Sequence, residues 1–509
     1  MRSARERLAI VISDEIGGVS LLQQIHMTHA NTMLALLSGE PGTGHDYITE
    51  LDMSPESLEE ALEELFFTWK PPNPRVTISG QAGEREGRSL RRFLYLNGVP
   101  YLWKDGTQSR ELTAHVDGTP ITHPTPSQLY VALGIIPPPN HQLDYPYDLV
   151  VVGGGPAGLS AALSASLVGF STLVIEAQRP GGTATTSINL IQNYLGFPGG
   201  LAGTRLAKLA LEQLATLDID WRSSYSARAL KGVDGGRYEI QIGENPDDAV
   251  TAGMVLLACG QNPKRLIFGE ARRTEELFLD RGIYYSAVPS DRLVEVGKDV
   301  VIVGGGDSAG QTALMFAKGG SRSIAIVARG GLTMAKPLKE EVRSLSPKLI
   351  KLFTGEVTEF SGAEHLAVVD VKAKVLGWEF ELTIPATSAY IHAGGEPNTK
   401  WLTDSGIDLD DDGYINTDVH LNHAKGERRA LPFETNLPGV FAAGDVRVNS
   451  LRRVGQAVGQ GTAAVASMER YVKEHPQVLA DPRSTARLLI DILGLTQGLQ
   501  RWVKRRPSM

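Results

Sequence analysis

Residues Tyr147 to Glu176 read YDLVVVGGGPAGLSAALSASLVGFSTLVIE. An apolar, β-rich run over Leu149–Val152 feeds Gly153-x-Gly155-x-x-Gly158, an apolar stretch at helical spacing follows, and a second run, Ser171–Ile175, ends in Glu176. The pattern predicts a βαβ unit that holds a dinucleotide. Its glycines permit a tight turn and let the backbone around Pro156 and Ala157 approach a pyrophosphate. That group rests on a helix N-terminus, where unpaired N–H groups and the dipole favour anions. Glu176 stands 18 residues past Gly158, where a carboxylate accepts hydrogen bonds from an adenosine ribose.

Outside this stretch, composition narrows the reading. A chain of 509 residues with 42% hydrophobic content has room for about three domains of roughly 150 residues each. The formal charge of −8 offers no basic field for nucleic acid, and no apolar run approaches the roughly 20 residues needed to span a bilayer. The opening residues, MRSARERLAIVISDE, meet acids before a signal-peptide core could form, so the expected location is cytoplasmic. A single cysteine, Cys259, leaves no intrachain disulfide and no intrachain dithiol pair. At the end of an apolar strand it reads as a buried structural thiol. No residue set has metal-ligand spacing; Asp410-Asp411-Asp412-Gly413 reads as a turn because the calcium-loop pattern is missing.

Residues 1–70 carry little chemistry. A short apolar run, Leu8–Ser13, precedes a polar stretch at Gly39–Asp46 that reads as loop, and Ser54-Pro55 opens a helix through Phe67. Pro71-Pro72-Asn73-Pro74 then starts a unit over 71–140: a strand at Arg75–Ile78, a helix at Arg88–Leu96, a strand at Gly98–Trp103, an edge strand at Thr119-Pro120-Ile121 and a helix at Ser127–Leu133. This order resembles a thioredoxin-like or glutaredoxin-like domain. The loop Ser79–Gly87, which would carry Cys-x-x-Cys in a working member, has no cysteine, so the expected use is docking, to a partner protein or within a dimer. Pro137-Pro138-Pro139-Asn140 forms a stiff linker.

Beyond Glu176 the chain resembles thioredoxin reductase-like flavoproteins from about Tyr147 to Tyr471. Arg179-Pro180-Gly181-Gly182-Thr183 and Ile191-Gln192-Asn193-Tyr194-Leu195-Gly196-Phe197-Pro198 resemble that family's flavin-contacting segments. A second fingerprint follows: a strand at Val300–Val303, the turn Gly304-x-Gly306-x-x-Ala309, a helix at Gln311–Phe316 and a strand at Ser323–Val327. Asn436–Val446, with Gly444-Asp445, resembles the closing flavin motif, and Arg452-Arg453-Val454 opens a helix aimed at the flavin ring. The resemblance implies an α/β fold of two Rossmann-like three-layer domains, with a nicotinamide-nucleotide domain (263–393) inserted in a split FAD domain (141–262 and 394–475), and a homodimer. It assigns Gly153, Gly155, Pro156, Ala157, Gly158, Glu176, Gly182, Thr183, Asn193, Gly260, Gly444, Asp445, Arg453 and Val454 to FAD. Gly304, Gly306, Asp307, Ser308, Ala309 and Arg329 go to NADP. The apolar strands ending at Gly260 and Gly394-Gly395 mark where the chain leaves and re-enters the FAD domain, which predicts a two-stranded hinge.

One departure decides the chemistry. Dithiol members place Cys-x-x-Cys just before the second fingerprint, and alignment through Gly282-Ile283-Tyr284-Tyr285 puts Ser286-Ala287-Val288-Pro289 there. A serine hydroxyl neither ionises near neutral pH nor forms a disulfide. The expected function is therefore an FAD-dependent NAD(P)H oxidoreductase that passes electrons to a non-disulfide acceptor: a small molecule, a quinone, an iron-sulfur protein or oxygen. The alternative is a redox-inactive FAD/NADPH-binding sensor or interaction protein. Val327-Ala328-Arg329-Gly330-Gly331, with Lys336 and Lys339 and no acid before Glu340, favours NADPH over NADH. No catalytic acid or base is nominated, and His392, beside the hinge without a partner base, reads as structural. In the tail, 476–509, Thr485–Val503 reads as an amphipathic helix ending near Trp502 and Lys504-Arg505-Arg506.

Overall fold

The computed structural model describes residues 10–13, 33–37, 48–51, 74–80, 85–99, 101–104, 111–136, 141–245, 247–266, 269–375, 377–421, 428–480 and 484. The expected loop at 39–46, the helix from Ser54, the 137–140 linker and the tail helix at 485–503 lie outside them.

Three strands, β1 (Ile10–Ser13), β2 (Met33–Leu37) and β3 (Ile48–Leu51), pair in parallel in that order. A second small unit runs β4 (Val76–Ser79), α1 (Arg85–Leu96), β5 (Tyr101–Lys104), β6 (Thr113–Val116), β7 (Thr119–Thr122) and α2 (Pro126–Ala132). Its sheet has the order β5-β4-β6-β7, with β4 parallel to β5 and antiparallel to β6. Helix α1 begins a turn earlier than its apolar spacing suggests, and buries Leu90 and Leu94 against Val76, Ile78 and Trp103. Helix α2 is fixed at its start by a capping box: Thr125 Oγ1 accepts from Gln128 N, and Gln128 Oε1 accepts from Thr125 N. Pro120 falls on the edge strand β7, where its missing N–H costs no ladder bond.

The first fingerprint builds the central sheet. β8 (Tyr147–Val152) is buried at every residue, as expected of a parallel strand covered on both faces. It pairs in parallel with β9 (Thr172–Glu176), which pairs with β10 (Ile219–Ser223). Helices α3 (Pro156–Val168) and α4 (Gly203–Leu214) complete this half, and β11 (Ala227–Val233), β12 (Arg237–Ile242) and β13 (Ala249–Leu257) add an antiparallel run that returns beside β8.

The chain then leaves through β14 (Gln261–Pro263) into α5 (Gly269–Phe278) and β15 (Ile283–Tyr285). The second fingerprint follows as β16 (Asp299–Val303), α6 (Asp307–Lys318) and β17 (Ser323–Ala328), trailed by α7 (Lys336–Ser344). Three strands not anticipated from the sequence, β18 (Ile350–Gly362), β19 (Leu366–Val375) and β20 (Trp378–Pro385), form an antiparallel extension, and β21 (Ser388–Ile391) closes the sheet β15-β21-β16-β17-β18-β19-β20. The return is through β22 (Gly395–Pro397), antiparallel to β14, so the two connections are paired neighbours. The first sheet is completed by β23 (Val440–Ala442) beside β13, and α8 (Val454–Glu474) packs along α3, with Ser160 Oγ donating to Val458 O at 2.7 Å. Among the described residues no helix is long and apolar enough to cross a membrane.

Candidate functional site

The first fingerprint works through close backbone approach. Gly153 sits at φ 108°, and a Cβ there would lie 2.4 Å from Ala258 O; a Cβ on Gly158 would lie 1.9 Å from Gly153 O. Neither position admits a side chain without moving backbone, so the turn stays tight and delivers Gly155 as N-cap of α3. That N-cap has no side-chain cap bond, and neither has Arg453 at the start of α8. Both helix starts line one cavity, of about 780 Å³. Two uncapped helix N-termini on one cavity present N–H donors and positive dipole ends to an anionic ligand.

Glu176 fixes the turn from below. Its Oε2 accepts from Gly154 N at 2.6 Å, while Oε1 accepts from Gln178 N at 2.7 Å and Arg179 N at 3.0 Å. Burial raises its pKa, opposed by these amide bonds. The carboxylate therefore shapes the loop and also faces the cavity, a double role that its sequence position alone does not reveal.

The cavity brings together Gly153, Gly155, Pro156, Ala157, Glu176, Gly182, Thr183, Gly260, Gly444, Asp445, Arg453 and Val454. Gly158 lies beneath the turn as packing. Asn193 does not join them: it is exposed, outside the lining, on a turn bounded by the Ile191–Leu201 bridge. Asp445 accepts from Ser450 Oγ at 2.8 Å, and Gly444 N donates to Gln460 Oε1 at 2.8 Å, tying the closing motif to α8. The set fits a flavin dinucleotide: glycine backbone and a helix start for a pyrophosphate, a carboxylate for a ribose, and a second helix start at the far wall.

Several further residues line the cavity, Arg179 from the stretch that resembles a flavin-contacting segment and others with no such signal. Arg179 donates from Nε to Thr185 Oγ1 at 2.7 Å, and its guanidinium is lowered to about 10 by burial and then by the charge of Arg92. Gln261 Nε2 donates to Tyr414 OH at 3.0 Å, and Trp401 Nε1 to Asn398 O at 3.0 Å, both from segments beside the hinge. Gln261 follows Gly260 directly, whereas nothing local in the sequence marks Trp401. Cys259 also lines the cavity; its Sγ donates to Asn398 O at 3.2 Å, and burial pushes the thiol up to about 12.

The second fingerprint repeats the geometry. Gly304 stands at φ 141°, where a Cβ would lie 2.5 Å from His392 O, and Gly306 is the uncapped start of α6. Asp307 Oδ1 accepts from Ala335 N at 2.7 Å, and Gly305 O accepts from Thr333 N at 2.7 Å, so the loop after Arg329 is folded onto the turn. Asp307, Ser308 and Arg329 are exposed and Ala309 is buried. His392 shares a 2.9 Å hydrogen bond with Thr312 Oγ1, and burial lowers its pKa to about 4, which fits a neutral structural ring. Asp410 Oδ1 accepts from Asp412 N and Tyr414 N, closing its turn on itself.

Ser286–Pro289 lies against both nucleotide units. Ser286 has φ 62°, Ala287 and Val288 are buried, and Val288 N donates to Asp291 Oδ2 at 2.9 Å. Ala287 packs in one apolar cluster with Ile188, from the loop that follows the cavity-lining turn 182–186.

A family model described as pyridine nucleotide-disulphide oxidoreductase matches residues 147–461. The chain is 30% identical over 328 residues to the 34.2 kDa protein in rubredoxin operon of Clostridium pasteurianum, covering 64% of this chain and 97% of that one. It is 29% identical over 334 residues to a thioredoxin reductase of Listeria monocytogenes, covering 64% and 94%. Among solved structures, thioredoxin reductase of T. acidophilum aligns with TM-score 0.54 at 28% identity over 65% of this chain and 99% of its own. That of Lactococcus lactis in the FR conformation aligns with TM-score 0.54 at 27% identity, over 64% and 99%. With two glycine turns on two Rossmann-like sheets joined through a pair of strands, the chain belongs to the pyridine nucleotide-disulphide oxidoreductase family, among its thioredoxin reductase-like members.

Proposed function

We propose that the chain is an FAD-dependent NAD(P)H oxidoreductase that hands electrons to an acceptor other than a disulfide of its own. The observation that carries this reading is the pairing of a flavin-shaped cavity with Ser286 and Pro289 at the positions of the family's dithiol. The chain's single thiol, Cys259, is half-buried on the cavity wall, bonded to Asn398 O and pushed up to about 12, above the range of a redox-active thiolate. A bound flavin supplies hydride acceptance and onward delivery of electrons singly or in pairs. The protein's part is positional. The start of α8 at Arg453–Val454 offers N–H groups and a dipole to developing negative charge, Glu176 and the Gly153–Gly158 turn hold the adenosine end, and β14 with β22 lets the nicotinamide unit reorient.

Arg329, with Lys336 and Lys339 close by in sequence, favours the 2′-phosphate of NADPH. The acceptor class includes small molecules, quinones, iron-sulfur proteins and oxygen. The name of the Clostridium relative, which cites a rubredoxin operon, makes an iron-sulfur protein the first acceptor to try. The four-stranded unit of β4 to β7 is read as a thioredoxin-like domain without its dithiol, the assembly as a homodimer, and the location as cytoplasmic.

The test is anaerobic addition of NADPH, and separately of NADH, to the purified protein while following the visible flavin band. Rapid bleaching, faster with NADPH, supports the proposal. A band that stays oxidised with both nucleotides, yet bleaches with dithionite, refutes it and favours a nucleotide-binding sensor. Disulfide reduction by the chain alone would refute the acceptor assignment.

A further inference from the structure

We infer that the N-terminal α/β unit is a clamp: it grips both nucleotide-binding units across their hinge, covers Ser286–Pro289 and holds the nicotinamide unit in one orientation. Helix α1 places Arg85, Arg88 and Arg92 at helical spacing on one face. Each reaches the nicotinamide unit. Arg85 Nη2 lies 3.3 Å from Asp280 Oδ2, and Arg88 Nη2 lies 2.9 Å from Glu295 Oε1. Arg92 Nη2 donates to Ser286 O at 3.1 Å, with Nη1 3.8 Å from Asp291 Oδ2. The Arg88 guanidinium also stacks 4.5 Å above the Tyr284 ring. Helix α1 rests on the 3-10 turn Pro289–Leu293 that follows the covered segment.

The central contact is buried. The Glu295 side chain is 0% exposed and that of Arg88 12%, and Glu295 also accepts from Ser388 Oγ at 2.8 Å and Tyr390 OH at 3.0 Å. A carboxylate sealed inside one unit is thus neutralised by a cation from another, and separating them leaves a buried charge with hydroxyl partners alone. On its other side the same unit is fused to the FAD-type core. Tyr130 and Ile136 belong to the cluster containing Leu159 and Trp221, and Phe93 and Ile135 pack against both that cluster and the N-terminal core. A swing about β14 and β22 must either strip Phe93 and Tyr130 from the FAD side or pull the three arginines from their acceptors. Release of α1 is therefore the step that frees the hinge.

The experiment uses the full FAD-loaded chain, oxidised and without nucleotide, with nitroxide labels at Glu212→Cys on α4 and Glu341→Cys on α7, both exposed positions. Cys259, half-buried, bonded to Asn398 O and with its thiol pushed up to about 12, labels far more slowly than the two exposed cysteines. Dipolar EPR should give one narrow distance for this parent. Arg88→Met with Glu295→Gln removes both charges of the buried pair, Arg92→Met removes the cation facing Asp291, and the triple variant should broaden the distance or add a second. An unchanged distribution in a variant that keeps its FAD and far-UV spectrum overturns the clamp. Should that variant fail to fold, Arg85→Met with Arg92→Met spares the buried pair. It should raise amide hydrogen exchange across 284–291 at least fivefold, and unchanged exchange there overturns the proposal. Neither readout involves turnover, so its failure is distinct from failure of the electron-transfer proposal.

Discussion

Replacing Glu176 with glutamine tests how the adenosine end of the cavity is built. The two oxygens of Glu176 accept from three main-chain amides, those of Gly154, Gln178 and Arg179. Glutamine has one acceptor oxygen. If it stays on Gln178 and Arg179, the new NH₂ meets Gly154 N–H across a contact of 2.6 Å, donor against donor. The Gly153–Gly155 turn must then move or leave a buried N–H unsatisfied. A lost bond to a charged acceptor together with an orphaned donor costs about 2–4 kcal/mol. At about 1.4 kcal/mol per tenfold, FAD should bind roughly 30- to 1,000-fold more weakly. The assay is quenching of flavin fluorescence on titrating apoprotein with FAD. NADP⁺ affinity, measured by calorimetry, should hardly change, because Gly304–Ala309 lies in the other unit. FAD affinity within threefold of the parent would refute the reasoning.

Three further outcomes follow from distances and burial. Gly158→Ala, whose Cβ would sit 1.9 Å from Gly153 O, should purify with little flavin, read as the ratio of visible to ultraviolet absorbance; a parent-like ratio would mean that the turn is looser than described. Burial lowers His392 from 6.5 to about 4, so the folded state resists a proton that the unfolded chain accepts near pH 6.5. The ring's stability contribution is complete above pH 6.5 and is lost as pH falls towards 4, by up to about 3 kcal/mol. His392→Asn should therefore lose less stability than the parent over that window in urea melts, and parallel curves would contradict the shift. Cys259, pushed up to about 12, should react with iodoacetamide at pH 8 on the order of a thousandfold more slowly in the folded protein than in urea, and fast labelling when folded would contradict the raised pKa.

The two strand–glycine turn–helix–strand units were legible because their physics is local. A glycine turn, an apolar parallel strand and a terminal acid fall within 30 residues and read the same in or out of context, as Tyr147–Glu176 does. The paired crossing between the two units was equally readable from two apolar strands ending in glycine. β18 to β20 were missed because their outer faces carry Lys372, Lys374, Glu379 and Glu381, so the apolar half of each alternation looks sparse. β6 went unseen because a four-residue strand gains its identity from its partners β4 and β7. Asn193 was placed in the flavin site by resemblance, but that turn points it to solvent. The Arg88–Glu295 pair joins positions 207 apart in sequence, and nothing near either residue announces the other.

The paired strands β14 and β22 make the nicotinamide unit a removable insert. Lys264 N donates to Gly394 O at 2.9 Å, so the two crossing points of the chain are already hydrogen-bonded neighbours. A two-residue turn joining them would turn β14 and β22 into an ordinary hairpin, and the first sheet, which takes no strand from 264–394, would keep all its pairings. The architecture is that of a socket and a cartridge: the main chain enters and leaves the second body at a single pair of strands, and among the described residues every other tie, the α1 arginines foremost, is made by side chains.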